Sequence, residues 1–161
     1  MTAMSSDPAT AGALRECASR LAQLGEAFVR QLHADLGPLT TDLAGGGWAF
    51  CDRMVRTLLW IPVTDQPPQT ILSTLQWVGR QNWMDGFPDD RYTDVAHAVV
   101  QTIRILMGDA WSTPMGSAWI GCFLWIRPHL IAGARQAASG PLEDEGEDHE
   151  DTIPPAARPP R

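Results

Sequence analysis

The segment from Trp77 to Tyr92 (WVGRQNWMDGFPDDRY) constrains the fold of this 161-residue chain more than any other part of it. Apolar residues recur at helical spacing before and within it: Ile71, Leu75 and Val78. Asn82 takes the next position on that stripe, so its amide should point into the core. Gly86 should end this helix, and Phe87 should return the chain to the interior.

The other core segments show the same helical period. Apolar faces recur every three to four residues in the stretches that begin near residues 13, 48, 90 and 113. No segment alternates apolar and polar residues as a half-buried strand would. The sequence therefore predicts an all-α protein.

Glycine and proline residues mark the expected helix boundaries. One long helix should run from Ala13 to Leu36 and end at Gly37-Pro38. Pro128 should kink or split the last helix, because proline has no backbone N–H to donate.

Composition predicts one folded domain with two polar ends. Residues 1–12 are expected to form a disordered leader, residues 13–138 the domain, and residues 139–161 a disordered acidic, proline-rich tail. Of the 19 acidic residues behind the net charge of -7, seven lie between Glu143 and Asp151. This tail is either a solvated segment or a docking segment for a partner with a basic surface.

Several functional classes lack support in the sequence. No basic stripe suggests nucleic-acid binding, and no metal-ligand spacing, catalytic triad or phosphate-binding loop is present. Cys17, Cys51 and Cys122 are widely spaced and should be buried free thiols. The longest apolar run, Ala118–Ile126, is too short to cross a membrane, and the first twelve residues lack a secretory signal. We therefore expect a cytoplasmic protein that is not an enzyme.

The segment from Trp77 to Tyr92 resembles the bacterial single-domain globins and the globin domain of flavohaemoglobins. In that family a helix carries the haem-binding histidine, an apolar residue follows five positions later, and a tyrosine ten positions later. Asn82, Phe87 and Tyr92 hold those places here. Further matching positions are Val95, Val99, Ile103, Leu106, Ala118, Trp119 and Phe123. The resemblance spans roughly Ala13 to Gln136 and implies a globin-like bundle of six to eight helices.

The same resemblance implies a site that has lost its haem ligand. Asn82 takes the place of the iron-binding histidine, and an amide is a poor iron ligand. The family's glutamate that tunes the histidine aligns with Gln136. Near the former haem slot the chain places Trp48 and the residues expected to line it: Phe50, Met54, Phe87, Tyr92 and Val95. Such large side chains suggest that protein fills the slot, so no cofactor and no metal are expected.

Three functions remain open at this stage. The first is a haem-free globin that serves as a regulatory or protein-interaction module, as in the haem-less globin domains of bacterial stress-regulation proteins. The alternative is a haem protein for oxygen or nitric oxide, with His33 as a non-standard iron ligand; His33 otherwise reads as a core-edge histidine bonded to backbone. The third is a carrier of a small apolar molecule in the vacated slot.

The expected partner is another protein, and a homo-oligomer is also considered. Trp60 and Trp125 fall off the main apolar stripes, so an exposed pair of tryptophans could mark an interface.

Overall fold

The structure is a computed structural model that describes residues 7–140. This range forms six α-helices and four short 3₁₀ segments and contains no β-strand, so the predicted all-α class is confirmed. The α-helices are α1 (Pro8–Ala22), α2 (Glu26–Leu36), α3 (Trp48–Trp60), α4 (Pro68–Met84), α5 (Tyr92–Met107) and α6 (Thr113–Ser139). The 3₁₀ segments are Gly37–Thr40, Ala44–Gly47, Asp89–Arg91 and Gly108–Ala110. None of the helices in this range combines the length and apolarity needed to cross a lipid bilayer.

The first helix begins earlier than predicted. It starts at Pro8 rather than near Ala13, so the prediction of a disordered leader is wrong for residues 8–12. The cause is an N-terminal cap: the Asp7 carboxylate accepts hydrogen bonds from the backbone N–H groups of Ala9 and Thr10. Pro8 follows in the first helical turn, where its missing N–H costs nothing. Residues 1–6 of the predicted leader and residues 141–161 of the predicted tail lie outside the described range.

The predicted helix from Ala13 to Leu36 is two helices. The chain leaves α1 after Ala22 and enters α2 at Glu26, with Gly25 at a φ of 57° between them. Glycine adopts this left-handed conformation without steric penalty. As a result Leu24 is 41% exposed, whereas Phe28 and Val29 are buried.

The last helix runs through Pro128 instead of splitting there. The proline ring removes one N–H, which would have bonded to the carbonyl of Leu124. The missing bond lies on an outer face, where the Leu124 side chain is 55% exposed.

Helix α6 packs most extensively against α4, and two glycines allow the close approach. A Cβ atom on Gly79 of α4 would lie 2.0 Å from the carbonyl oxygen of Leu130 on α6. A Cβ atom on Gly133 of α6 would lie 1.9 Å from the carbonyl oxygen of Gln76 on α4. Each helix therefore presents a bare backbone to the other, which fixes α4 and the polar residue at its C-terminal end.

Burial in the core follows most of the predicted faces. Cys17, Cys51 and Cys122 form no disulfide and have no exposed surface, as predicted. The predicted pair of exposed tryptophans is wrong: Trp60 is 1% exposed, and Trp125 is half-buried. Trp48 and Trp83 are the tryptophans that the described range exposes, because they lie near the ends of α3 and α4 and outside the packed faces.

Candidate functional site

The C-terminal end of α4 forms a tight backbone corner. Gly86 has a φ of 98°, and its N–H donates to the carbonyl of Trp83 at 3.0 Å. The N–H of Phe87 donates to the carbonyl of Asn82, also at 3.0 Å. This pair of bonds is a Schellman motif, which closes a helix and returns an apolar residue to the core. Phe87 is accordingly 1% exposed, as the sequence predicted.

The side chain of Asn82 is buried with no exposed surface, and its amide is bonded on both ends. Its Oδ1 accepts a hydrogen bond of 2.8 Å from Nη1 of Arg53. Its Nδ2 donates to the hydroxyl of Tyr92 at 3.1 Å and to the sulfur of Met54 at 3.4 Å. A guanidinium only donates, so Arg53 fixes which end of the amide is the oxygen. Asn82 thereby connects α3, α4 and the first residue of α5.

An ion pair holds Arg53 in place. Both terminal nitrogens of its guanidinium donate to Oδ2 of Asp85 at 3.0 Å. The side chains of Arg53 and Asp85 are only 11% and 20% exposed, so the pair lies at the edge of the core. The carboxylate balances the positive charge beside the buried amide, and it belongs to the turn that follows Asn82. Arg53 therefore links the amide of Asn82 to the turn that follows it.

Four of the five predicted lining residues lie together around Asn82, and the fifth, Val95, is buried three positions after Tyr92 on α5. The rings of Phe50 and Phe87 stack with centroids 4.6 Å apart, and the rings of Phe87 and Tyr92 are tilted at 5.0 Å. Phe50, Met54, Asn82 and Val95 are 0% exposed, and Phe87 and Tyr92 are 1% exposed. Side chains with so little accessible surface adjoin no space that a water molecule could enter.

Burial also changes the acid–base behaviour of the site. Desolvation raises the pKa of Tyr92 to about 12, although the hydrogen bond from Asn82 and the charge of Arg53 oppose this rise. The phenol therefore stays protonated at neutral pH and acts as a hydrogen-bonding group rather than as a base.

Comparison with known proteins finds no match among protein-family models, curated proteins or solved structures.

His33 lies at the edge of α2 rather than among the lining residues. Its Nε2 is 2.8 Å from the carbonyl oxygen of Gly46, so this nitrogen carries the proton in the bond. The centroid of its ring lies 5.8 Å from the centroid of the Trp48 indole ring. The expectation that Trp48 stands on the slot wall is wrong, because Trp48 is 41% exposed at the start of α3.

The other histidines of the described range, and Gln136, lie away from the corner. His97 and Gln136 are exposed on the outer surfaces of α5 and α6. His129 is half-buried beside Trp125, and burial lowers its pKa. His149 lies outside the described residues. Within residues 7–140, no three His, Cys, Asp or Glu side chains come close enough together to hold a metal ion.

Sequence reasoning missed Arg53 and Asp85. Arg53 precedes the inward-facing Met54, and its long side chain reaches around the edge of α3 to the amide of Asn82. Asp85 lies three residues after Asn82, about one helical turn further on. A buried amide needs partners for its oxygen and for both its hydrogens, and this requirement could have directed attention to nearby charged residues.

Proposed function

We propose that this protein is a haem-free, globin-like module that acts through protein interaction rather than through a cofactor. The observation that supports it is the bonding of Asn82, at the position that corresponds to the haem ligand in the resembled family. Its oxygen accepts a hydrogen bond from Arg53, and its nitrogen donates hydrogen bonds to Tyr92 and Met54. An amide used in this way joins helices and has no free group for a metal.

The packing around Asn82 supports the same proposal. A porphyrin beside this residue would have to separate the stacked rings of Phe50 and Phe87. It would also have to break the hydrogen bond between Asn82 and Tyr92. The lining side chains adjoin no water-sized space, so haem entry would require the corner to unpack.

An interaction role is supported by the outer surface. Trp48, Trp83 and Met84 are each at least 40% exposed near the ends of α3 and α4, and Ile120 and Leu124 are exposed on α6. The acidic run between Glu143 and Asp151 adds a strongly charged segment that suits a partner with a basic surface. The proposed role is regulatory, with binding controlled by surface contacts.

The two alternative functions, a haem protein and a carrier of a small apolar molecule, would both require contacts in this region to break. A haem protein with His33 on the iron requires His33 to leave the carbonyl of Gly46 and the haem to enter beside Asn82. A carrier of a small apolar molecule requires the same filled region to open. Both alternatives therefore need the corner rearranged, whereas the haem-free module uses it as it stands.

Haemin titration of Asn82→His tests this proposal. If the slot is filled, the variant should take up no stoichiometric haemin and should lose stability, because imidazole cannot reproduce the bonds of the amide to Arg53 and Tyr92. Wild-type protein under the same conditions is the control for non-specific haemin uptake. A tight one-to-one complex of the variant with a shifted Soret band would show an open slot and would contradict the proposal.

A further inference from the structure

The outer face of α6 carries a groove that the bundle does not cover. It has a volume of about 320 Å³ and is lined by Leu124, Arg127, Pro128, Ile131, Ala132 and Arg135. Ile120 extends the same face one turn towards the N-terminus and is 45% exposed. Pro128 contributes a further feature, because it leaves the carbonyl of Leu124 without its helical donor. The groove therefore combines apolar surface with a backbone carbonyl that has no helical N–H donor at Pro128.

Two arginines give this face a positive charge. Arg127 makes no ion pair or hydrogen bond with any other residue in the described part of the chain. Arg135 lies 3.5 Å from the Asp89 carboxylate, yet its side chain is 75% exposed, so most of its guanidinium is available. The two residues are eight positions apart, about 12 Å along the helix and about 80° around it, and both line the groove.

The acidic run begins only four residues after the end of this helix. It contains seven acidic residues between Glu143 and Asp151, and three residues separate it from the α6 C-terminus at Ser139. Arg127 lies twelve residues before Ser139, or about 18 Å back along the helix. The nine residues from Ser139 to Asp148 span up to about 30 Å when extended, so the acidic run can fold back over both arginines.

We propose that the segment from Glu143 to Asp151 docks on this α6 groove within the same molecule. Its carboxylates pair with Arg127 and Arg135, and its backbone covers the apolar surface around Pro128. If the acidic run also binds the basic partner of the proposed function, that partner and the groove compete for it. The docking itself does not depend on whether haem is bound near Asn82, so its failure and the failure of the proposed function are distinguishable.

A spin label on the acidic run of the full-length chain tests the docking. Gly146→Cys places a thiol between Glu145 and Glu147. The three native cysteines are fully buried, and burial raises their pKa values, so they should not react with the label. We expect the amide signals of residues 120–135 to lose most of their intensity in nuclear magnetic resonance spectra. The signals should recover at an ionic strength of about 1 M, where the screening length falls to about 3 Å.

Substitutions identify the surface that is responsible. The double variant Arg127→Gln/Arg135→Gln should restore the α6 signals at low salt. Arg104→Gln removes an exposed arginine from α5 and should leave the broadening unchanged. Unaffected α6 amides in the labelled chain would overturn the proposal, as would broadening that persists in the double variant. Broadening that appears only in unlabelled chains mixed with labelled ones would also overturn it, because the segment would then dock on a second copy.

Discussion

At the residue scale, the amide of Asn82 connects three helices and is supported by an ion pair. Arg53 donates to its oxygen, Tyr92 accepts from its nitrogen, and Asp85 neutralises Arg53. Removing one member of such a network leaves its buried partner unsatisfied, which costs more than the net value of the bond.

A double-mutant cycle should measure this coupling. We expect Tyr92→Phe to lower the free energy of unfolding by about 1–2 kcal/mol and Asn82→Ala by about 3 kcal/mol. The double variant should lose about 1 kcal/mol less than the sum, since the two residues share a bond. Chemical denaturation followed by tryptophan fluorescence provides the four values.

Thr74→Val is the control for this cycle. Thr74 is also buried on α4, but its hydroxyl bonds to the carbonyl of Thr70 on its own helix. Its effect should add to that of Asn82→Ala. Strict additivity of Tyr92→Phe and Asn82→Ala would argue against the bond between them.

The titration of Tyr92 can be followed directly, because it is the only tyrosine in the chain. Its pKa is raised from 10.0 to about 12, so the folded state holds the proton more tightly than the unfolded state does. The stability that this group contributes is fully present below pH 10.0 and is lost as the pH rises to about 12. This loss should amount to about 2–3 kcal/mol.

Near-ultraviolet absorbance of the phenolate provides the measurement. We expect no phenolate signal in folded protein near pH 10, and a signal at higher pH as Tyr92 titrates or the protein unfolds. A full phenolate signal at pH 10 with native circular dichroism would contradict the burial of Tyr92. The same titration of the Asn82→Ala variant is the comparison, because the substitution removes the hydrogen bond from Asn82 that lowers the pKa of Tyr92.

The sequence was informative about Asn82 and uninformative about its partners. The helical stripe placed Asn82 in the core, and spacing brought Phe87 and Tyr92 to the same corner. Arg53 could not be placed in this way, because a long charged side chain can leave the face to which its Cα belongs. Its position depends on the tertiary approach of α3 to α4, which periodicity does not encode.

At the scale of the elements, the crossing of α4 and α6 holds the corner in position. Gly79 and Gly133 each face the backbone of the opposite helix at a distance that excludes a Cβ atom. Flexible side chains could yield at such a contact, but backbone carbonyls can yield only if the helices move apart.

Alanine substitutions should reveal this constraint. Gly79→Ala and Gly133→Ala should each lower the free energy of unfolding by about 2–4 kcal/mol, because the added methyl group forces the helices apart. Gly121→Ala is the matched control on α6, since nothing lies within 4 Å of its added Cβ atom. This control should raise stability by up to about 1 kcal/mol, because alanine favours helix over glycine. Equal effects at all three positions, measured by thermal unfolding, would contradict the close crossing.

The helix boundaries show where sequence patterns reach their limit. The apolar stripe continues across residues 22–26, so it could not show that Gly25 turns the chain between α1 and α2. Pro128 was expected to kink or split α6, but the helix continues through it, and Leu130 and Gly133 just beyond it pack closely against α4. At Gly25 the conformation of a single glycine decides the boundary, whereas at Pro128 the helix continues into a closely packed contact with α4.

At the scale of the whole molecule, six helices in the described range enclose a core that contains the buried polar network of Asn82. The all-α class follows from periodicity alone, since every core segment repeats at helical spacing. The globin likeness and the interaction role remain proposals. Both proposals depend on Asn82, whose amide oxygen and nitrogen form hydrogen bonds to side chains of other helices.

The visible absorption spectrum of the protein, purified from cells supplied with a haem precursor, tests this account most directly. The account predicts a colourless protein with no Soret band and no stoichiometric haem, because Asn82 offers no ligand and the surrounding side chains adjoin no water-sized space. One haem per chain, lost on His33→Ala substitution, would contradict the account and establish His33 as the iron ligand.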